Sequence, residues 1–185
     1  MRIQFYILLS FLLLFIACEN ENKGPRTYKV YKNDSLDLRK ENPKILSDDF
    51  KWNVPKSWNL KENTNSFRLA SYDVPYLNSK ADLSITKFPG DAGGVQANVN
   101  RWRKQLNLSE LTLDQIESNA IRGEANLGKY TIYKIINNKD ATSAFLCMIL
   151  QLEDYTIFVK LNASIKGIEL LERDFITFCS SLKPI

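Results

Sequence analysis

Three consecutive runs in the second half of the chain, residues 128–137 "GKYTIYKIIN", 143–153 "SAFLCMILQLE" and 155–164 "YTIFVKLNAS", constrain its fold more than any other feature. The first and third alternate apolar and polar residues with the two-residue period of a strand that has one face in a core. The middle run is apolar on both faces, as a central strand covered on two sides would be. Asn137 to Thr142 and the pair Glu153-Asp154 supply turns between them, so the three runs read as an antiparallel meander. A sheet whose central strand must be hidden on both sides needs a covering layer above and another below.

Two amphipathic segments can supply those layers. In residues 164–183, "SIKGIELLERDFITFCSSLK", the positions Ile168, Leu171, Phe175, Phe178, Cys179 and Leu182 share one helical face. In residues 94–108, Val95, Val99, Trp102 and Leu106 do the same, with Trp102 toward the core and Arg101 and Arg103 on its flanks. Upstream, "SFRLASYDV" and "ADLSITKF", separated by "PYLNSK", read as a hairpin. The stretch "SELTLDQIESNAI" reads as a second short helix or an irregular connection. "FKWNVPKSW" sets Phe50, Trp52, Val54 and Trp58 around Pro55, aromatics that seal one end of a core. The expected fold is α+β: an antiparallel β-sheet covered by helices in a layered α/β/α sandwich.

The N-terminus carries an address. Arg2 precedes an apolar run from Ile3 to Ala17, and Cys18 follows at once, ahead of "ENEN". The run is shorter than the roughly 20 residues of a membrane span and suits the core of a signal peptide. It resembles a bacterial lipoprotein signal, with small Ala17 before a lipidated Cys18. The expected organisation is a signal peptide over 1–17, a polar tether over 18–46 and one globular domain over 47–185. The protein is expected outside the cytoplasm, in the periplasm or on the cell surface, held to a membrane through Cys18. An oxidising compartment leaves open whether Cys147 and Cys179 pair or stay free as small core hydrophobes.

Charge and composition narrow the function. Without Arg2 the mature chain keeps 24 of its 25 basic side chains against 21 acidic ones, an excess too weak for a nucleic-acid binder, and no nucleic acid is expected as a partner. There is no histidine, which removes the usual general base and the usual imidazole metal ligand. No cofactor and no metal are expected. "G-x-S-x-G" does not occur, and the carboxylate pair Glu172 and Asp174 falls on a charged helix face where solvation explains it.

The order "FKWNVPKSW", "FRLASYDV", a strand ending in "FPG" before a helix, then three strands and a last helix ending "FITFCSSLK" resembles the PsbP-like family, whose fold is shared with the Ran-binding protein Mog. The resemblance spans residues 50–183 and implies the same α+β sandwich. It also implies an accessory subunit, assembly factor or binding module more than an enzyme, and the Cys18 signal and tether make an envelope protein the expected partner.

Residues 88–106, "FPGDAGGVQANVNRWRKQL", are where a binding role would fall. A glycine-rich turn before a helix can hold an anion on free backbone N–H groups. Gly90, Asp91, Gly93 and Gly94 are the candidates in the turn, with Arg101 and Arg103 on the helix that follows. The competing reading is that the glycines allow positive φ in a tight turn and Asp91 caps the helix. The leading expectation is thus a lipid-anchored, non-enzymatic binding or assembly module. A small-ligand or anion-binding lipoprotein using residues 90–94 is the alternative, and a hydrolase of unrecognised type the weaker one.

Overall fold

The computed structural model describes residues 49–62 and 68–185; the signal segment, Cys18 and the tether lie outside the described residues. Seven strands form one antiparallel sheet in the order β2-β3-β4-β8-β7-β6-β5. In chain order these are β2 (Asn59–Leu60), β3 (Arg68–Tyr76), β4 (Ser79–Pro89), β5 (Ile121–Ala125), β6 (Gly128–Ile136), β7 (Ala144–Gln151) and β8 (Tyr155–Ala163). Three helices accompany them: α1 (Gly94–Gln105), α2 (Leu113–Glu117) and α3 (Ile165–Ser180). A separate two-stranded pairing joins β1 (Phe50–Lys51) to β9 (Lys183–Pro184).

The meander read from the sequence is β6-β7-β8, and β8 continues the sheet through β4. β7 is buried from Ala144 through Leu150. Its alternate residues belong to two cores. Ala144, Leu146, Met148 and Leu150 meet α3 and the inner residues of β3, β4 and β8, whereas Phe145, Cys147 and Ile149 meet α1. The α/β/α arrangement expected from the sequence is the one observed, because a strand apolar on both faces is stable only between two layers.

On the first face, Phe175 and Phe178 of α3 enter a cluster closed by Phe50, Trp52 and Trp58. The Trp58 and Phe178 rings lie 4.9 Å apart, and the Trp52 indole N–H donates to the Tyr72 hydroxyl at 3.0 Å. The start of α3 is capped by Ser164, whose Oγ accepts from the Gly167 amide at 3.0 Å and shares a hydrogen bond with the Tyr76 hydroxyl at 3.1 Å. At Gly167 a Cβ would stand 2.6 Å from the Tyr76 ring, so glycine is what lets the helix dock this closely.

Several local features differ from the sequence reading. β5 begins at the last residue of the stretch read as helix or connection and runs through residues for which no element was expected: it is a polar edge strand whose Gly123 leaves room for the Tyr130 ring across it, and a Cβ there would meet that ring at 2.3 Å. α2 occupies Leu113–Glu117 alone, started by a Thr112–Gln115 capping box. The β3–β4 hairpin extends into "PYLNSK", leaving Leu77 (φ 48°) and Asn78 as the turn. Cys147 and Cys179 do not pair. Both are free and fully buried, Cys147 toward α1 and Cys179 toward the α3 side, so the sheet stands between them.

Phe178→Ala is expected to cost about 3–5 kcal/mol, read as a lowered urea midpoint, because it opens a cavity among rings that cannot collapse onto it. Burial raises the pKa of both core thiols. Unreduced protein is therefore expected to resist alkylation at Cys147 and Cys179 when native and to take one label on each once unfolded, measured by peptide mass. A disulfide-linked peptide pair would contradict this topology.

Candidate functional site

β4 stays paired with β8 through Pro89, and just beyond it the chain must reverse to lay α1 back over the sheet. Gly90, Ala92, Gly93 and Gly94 make the reversal with φ of 59°, 53°, 88° and 77°. The glycines therefore do the conformational work expected of them, and Ala92 joins them in the left-handed region, a conformation that costs an L-residue about 1–2 kcal/mol. Sequence reasoning had no signal for Ala92, since its conformation is imposed by its neighbours.

Asp91 does not cap the helix. The N-cap is Gly93, without a side-chain bond, and Asp91 Oδ1 instead accepts from the Gly93 amide at 3.0 Å, fastening the turn itself. The Gly94 amide goes to the Asp91 carbonyl at 3.0 Å and the Gly90 amide to Asp154 of the β7–β8 turn at 2.8 Å. The Thr156 hydroxyl donates to the Gly90 carbonyl at 2.7 Å. Three of the amides that an anion would use are thus already given to protein oxygens, one of them to a carboxylate. The arrangement stabilises the turn more than it advertises a vacant cradle.

The asparagines of α1 complete the brace. Asn98, 1% exposed, sends its Nδ2 to the Ala92 carbonyl at 3.0 Å and the Gly94 carbonyl at 2.7 Å, and its Oδ1 accepts from Arg101. Asn100 exchanges two bonds of 2.9 Å with the backbone of Leu111, which pins the α1–α2 connection. Arg103 gives its Nε to the Ser109 carbonyl at 2.7 Å and acts as a strap on the same connection. Its role is structural here, where the sequence reading placed it beside Arg101 as a binding donor.

α1 and α2 together border a shallow, open groove of about 970 Å³. Gly94, Val95, Arg101, Lys104, Leu113 and Glu117 line it, with Leu113 45% exposed. Gly93, Gly94 and Arg101 are brought together there as the sequence suggested; Gly90, Asp91 and Arg103 are not among its walls. Lys104, Leu113 and Glu117 were missed, because their convergence depends on how α2 folds back. Glu117 is held from below by the Tyr133 hydroxyl at 2.9 Å and by Arg122 at 2.8 Å. Burial is the main reason the Tyr133 hydroxyl is pushed well above its ordinary pKa, so it stays protonated and able to donate. Of the acidic pair noted in the sequence, Glu172 is held by Lys134 at 2.7 Å.

No protein-family model and no curated protein matches the chain. Among solved structures, it is similar to the solution structure of cyanobacterial PsbP (CyanoP) from Synechocystis sp. PCC 6803. The identity is 13% and the TM-score 0.49, over 75% of this chain and 88% of that one. It is also similar to a crystal structure from Bacteroides thetaiotaomicron VPI-5482, 14% identical with a TM-score of 0.45, over 74% of this chain; it spans 45% of that longer protein. At these identities and scores the likenesses carry nothing about activity, ligand or partner, and the sandwich stands on the strand register given above.

Asn98→Ala is expected to lower stability by about 1–3 kcal/mol, since it takes the donor from two half-buried carbonyls of the turn. Gly93→Ala, where a Cβ would meet open space, is expected to cost about 1 kcal/mol from φ alone. Urea denaturation of both variants checks this; a neutral Gly93→Ala would show that the left-handed turn is not required.

Proposed function

We propose that the protein is a non-enzymatic binding or assembly module of a bacterial envelope, tethered by lipidation of Cys18, that meets a protein partner through the groove between α1 and α2. The observation that carries the reading is the groove's make-up. It sets the exposed side chain of Leu113 and the half-buried Val95 between the cations Arg101 and Lys104 and the carboxylates Glu110 and Glu117. Apolar ground with charges of both signs at its border suits a protein surface better than a small substrate, because the charges set register while the apolar part is dried on contact. The floor of the groove is rigid, held by Asn98, Asn100 and the Thr112 capping box, so little order would be lost on binding.

The signal-like N-terminus, the resemblance to a family of accessory proteins and the lack of histidine all favour this reading over a hydrolase. An anion held at residues 90–94 is less well supported, because Asp91 already answers the Gly93 amide.

The test is crosslinking in native membranes with the full chain, its Arg101→Glu/Lys104→Glu variant and a Lys51→Glu control on the β1–β9 side. A stoichiometric partner seen with the wild type and the control, and reduced at least tenfold in the double variant with unchanged circular dichroism, is the expected result. Equal crosslinking by all three proteins would remove the groove from the interface.

A further inference from the structure

Among the described residues, only half of the α1 face of the sheet lies under a helix. α1 lies over β6, β7 and β8, while β3 and β4 turn Ser71, Asp73, Asp82, Ser84 and Thr86 toward the same side. Lys160 of β8 stands at the rim of the helix cover, paired in register with Ser84 on β4 and with Cys147 on β7. Its ammonium sits 3.7 Å from the centroid of the Phe145 ring and donates to Gln105 Oε1 of α1.

This half-buried cation meets no carboxylate within ion-pair distance among the described residues. The acids nearby are committed elsewhere: Asp82 to Lys61 at 2.9 Å and Arg68 at 3.9 Å, and Asp73 to Lys80 at 2.6 Å and Lys61 at 3.5 Å. Burial, the largest influence on it, pushes the Lys160 ammonium below the usual lysine range; Arg68 and Arg101 push the same way, against Cys147 and Asp82. Ser84, across the strand, is 8% exposed as a residue, and its hydroxyl has no hydrogen-bond partner among the described residues while still reaching solvent. The Lys160 ammonium leans over Phe145 toward α1, and Ser84 is its register neighbour on the other side of β8, so a cation with donors to spare borders a strand whose hydroxyl is unused.

We propose that this half-face binds a phosphate group, as the free ion or as a phospholipid headgroup, between Lys160 and Ser84, with Arg101 and Arg68 supplying further positive potential. A phosphate suits the place better than a carboxylate because its several acceptor oxygens can serve an ammonium and a hydroxyl together. Arg101 also lines the α1–α2 groove, so this proposal is tested at Lys160 and Ser84, which the groove reading does not use.

The full chain in detergent is titrated with inorganic phosphate and, separately, with dihexanoyl phosphatidic acid below its micelle concentration. Ionic strength is held constant with chloride, and backbone amide shifts are followed by NMR. Saturable shifts centred on Ser84 and Lys160 are expected for at least one probe, weakened about tenfold or more in Lys160→Met and several-fold in Ser84→Ala. Tighter binding of inorganic phosphate assigns the site to a free ion, and tighter binding of the lipid assigns it to a headgroup. Lys160→Met is also expected to raise Tm, since the penalised charge is gone. If that variant instead folds poorly, Ser84→Ala decides, because it leaves every charge in place. Failure of both probes to saturate, or binding unchanged in Ser84→Ala and in folded Lys160→Met, overturns the proposal.

Discussion

The rest of the structure depends on β7 being buried on both sides. Seven consecutive residues, Ala144 to Leu150, have to leave water, and each large one contributes about 1.5–3 kcal/mol only if its own face is covered. One covering layer would hide Leu146, Met148 and Leu150 and leave Phe145, Cys147 and Ile149 wet. Two helices on opposite faces are the economical answer, and the chain provides them from its middle and its end. The same requirement keeps the two thiols apart: each is a small side chain used where a strand and a helix approach, one on each side of the sheet.

The two layers are not equivalent. α3 follows β8 after a single capping residue, Ser164, and its apolar face meets aromatics from the start of the domain, so that side closes into one continuous core. α1 must instead be laid down by a reversal at the end of β4. That reversal takes four left-handed residues within residues 90–94 and a dedicated brace from Asn98. Trp102 then anchors the helix edge-on against Phe158 at 5.5 Å, over β8 rather than over β3 and β4. The placement has two consequences. α2 folds back beside α1 and opens a groove, and the outer part of the sheet keeps a polar face with Lys160 at its rim.

Both candidate surfaces are therefore by-products of how α1 is held. The groove is formed of side chains on two helices whose separation is set by backbone bonds from Asn100 and Arg103. The polar half-face exists because no helix lies over β3 and β4 on that side among the described residues. Four left-handed residues and the Asn98 brace gather in the connection before α1, while the other non-glycine residues with positive φ, Leu77 and Asn107, stand singly in turns.

The sandwich, the strands β3, β4, β6, β7 and β8, the long helices and the faces they bury were legible in the sequence, because two-residue and 3.6-residue periods report burial directly. So was the need for positive φ at Gly90, Gly93 and Gly94. The edge strand β5 was not, since an edge strand with Gly123 at its centre has little apolar pattern to show. Nor were the brace at Asn98, the strap at Arg103 or the separation of Cys147 from Cys179 by the sheet. These depend on which side chains meet across long sequence distances, and composition and spacing are silent on that. Lys160 illustrates the division: its place on a strand is written in the alternation around it, but its lack of a counter-charge among the described residues follows only from where Asp82, Gln105 and Phe145 come to rest.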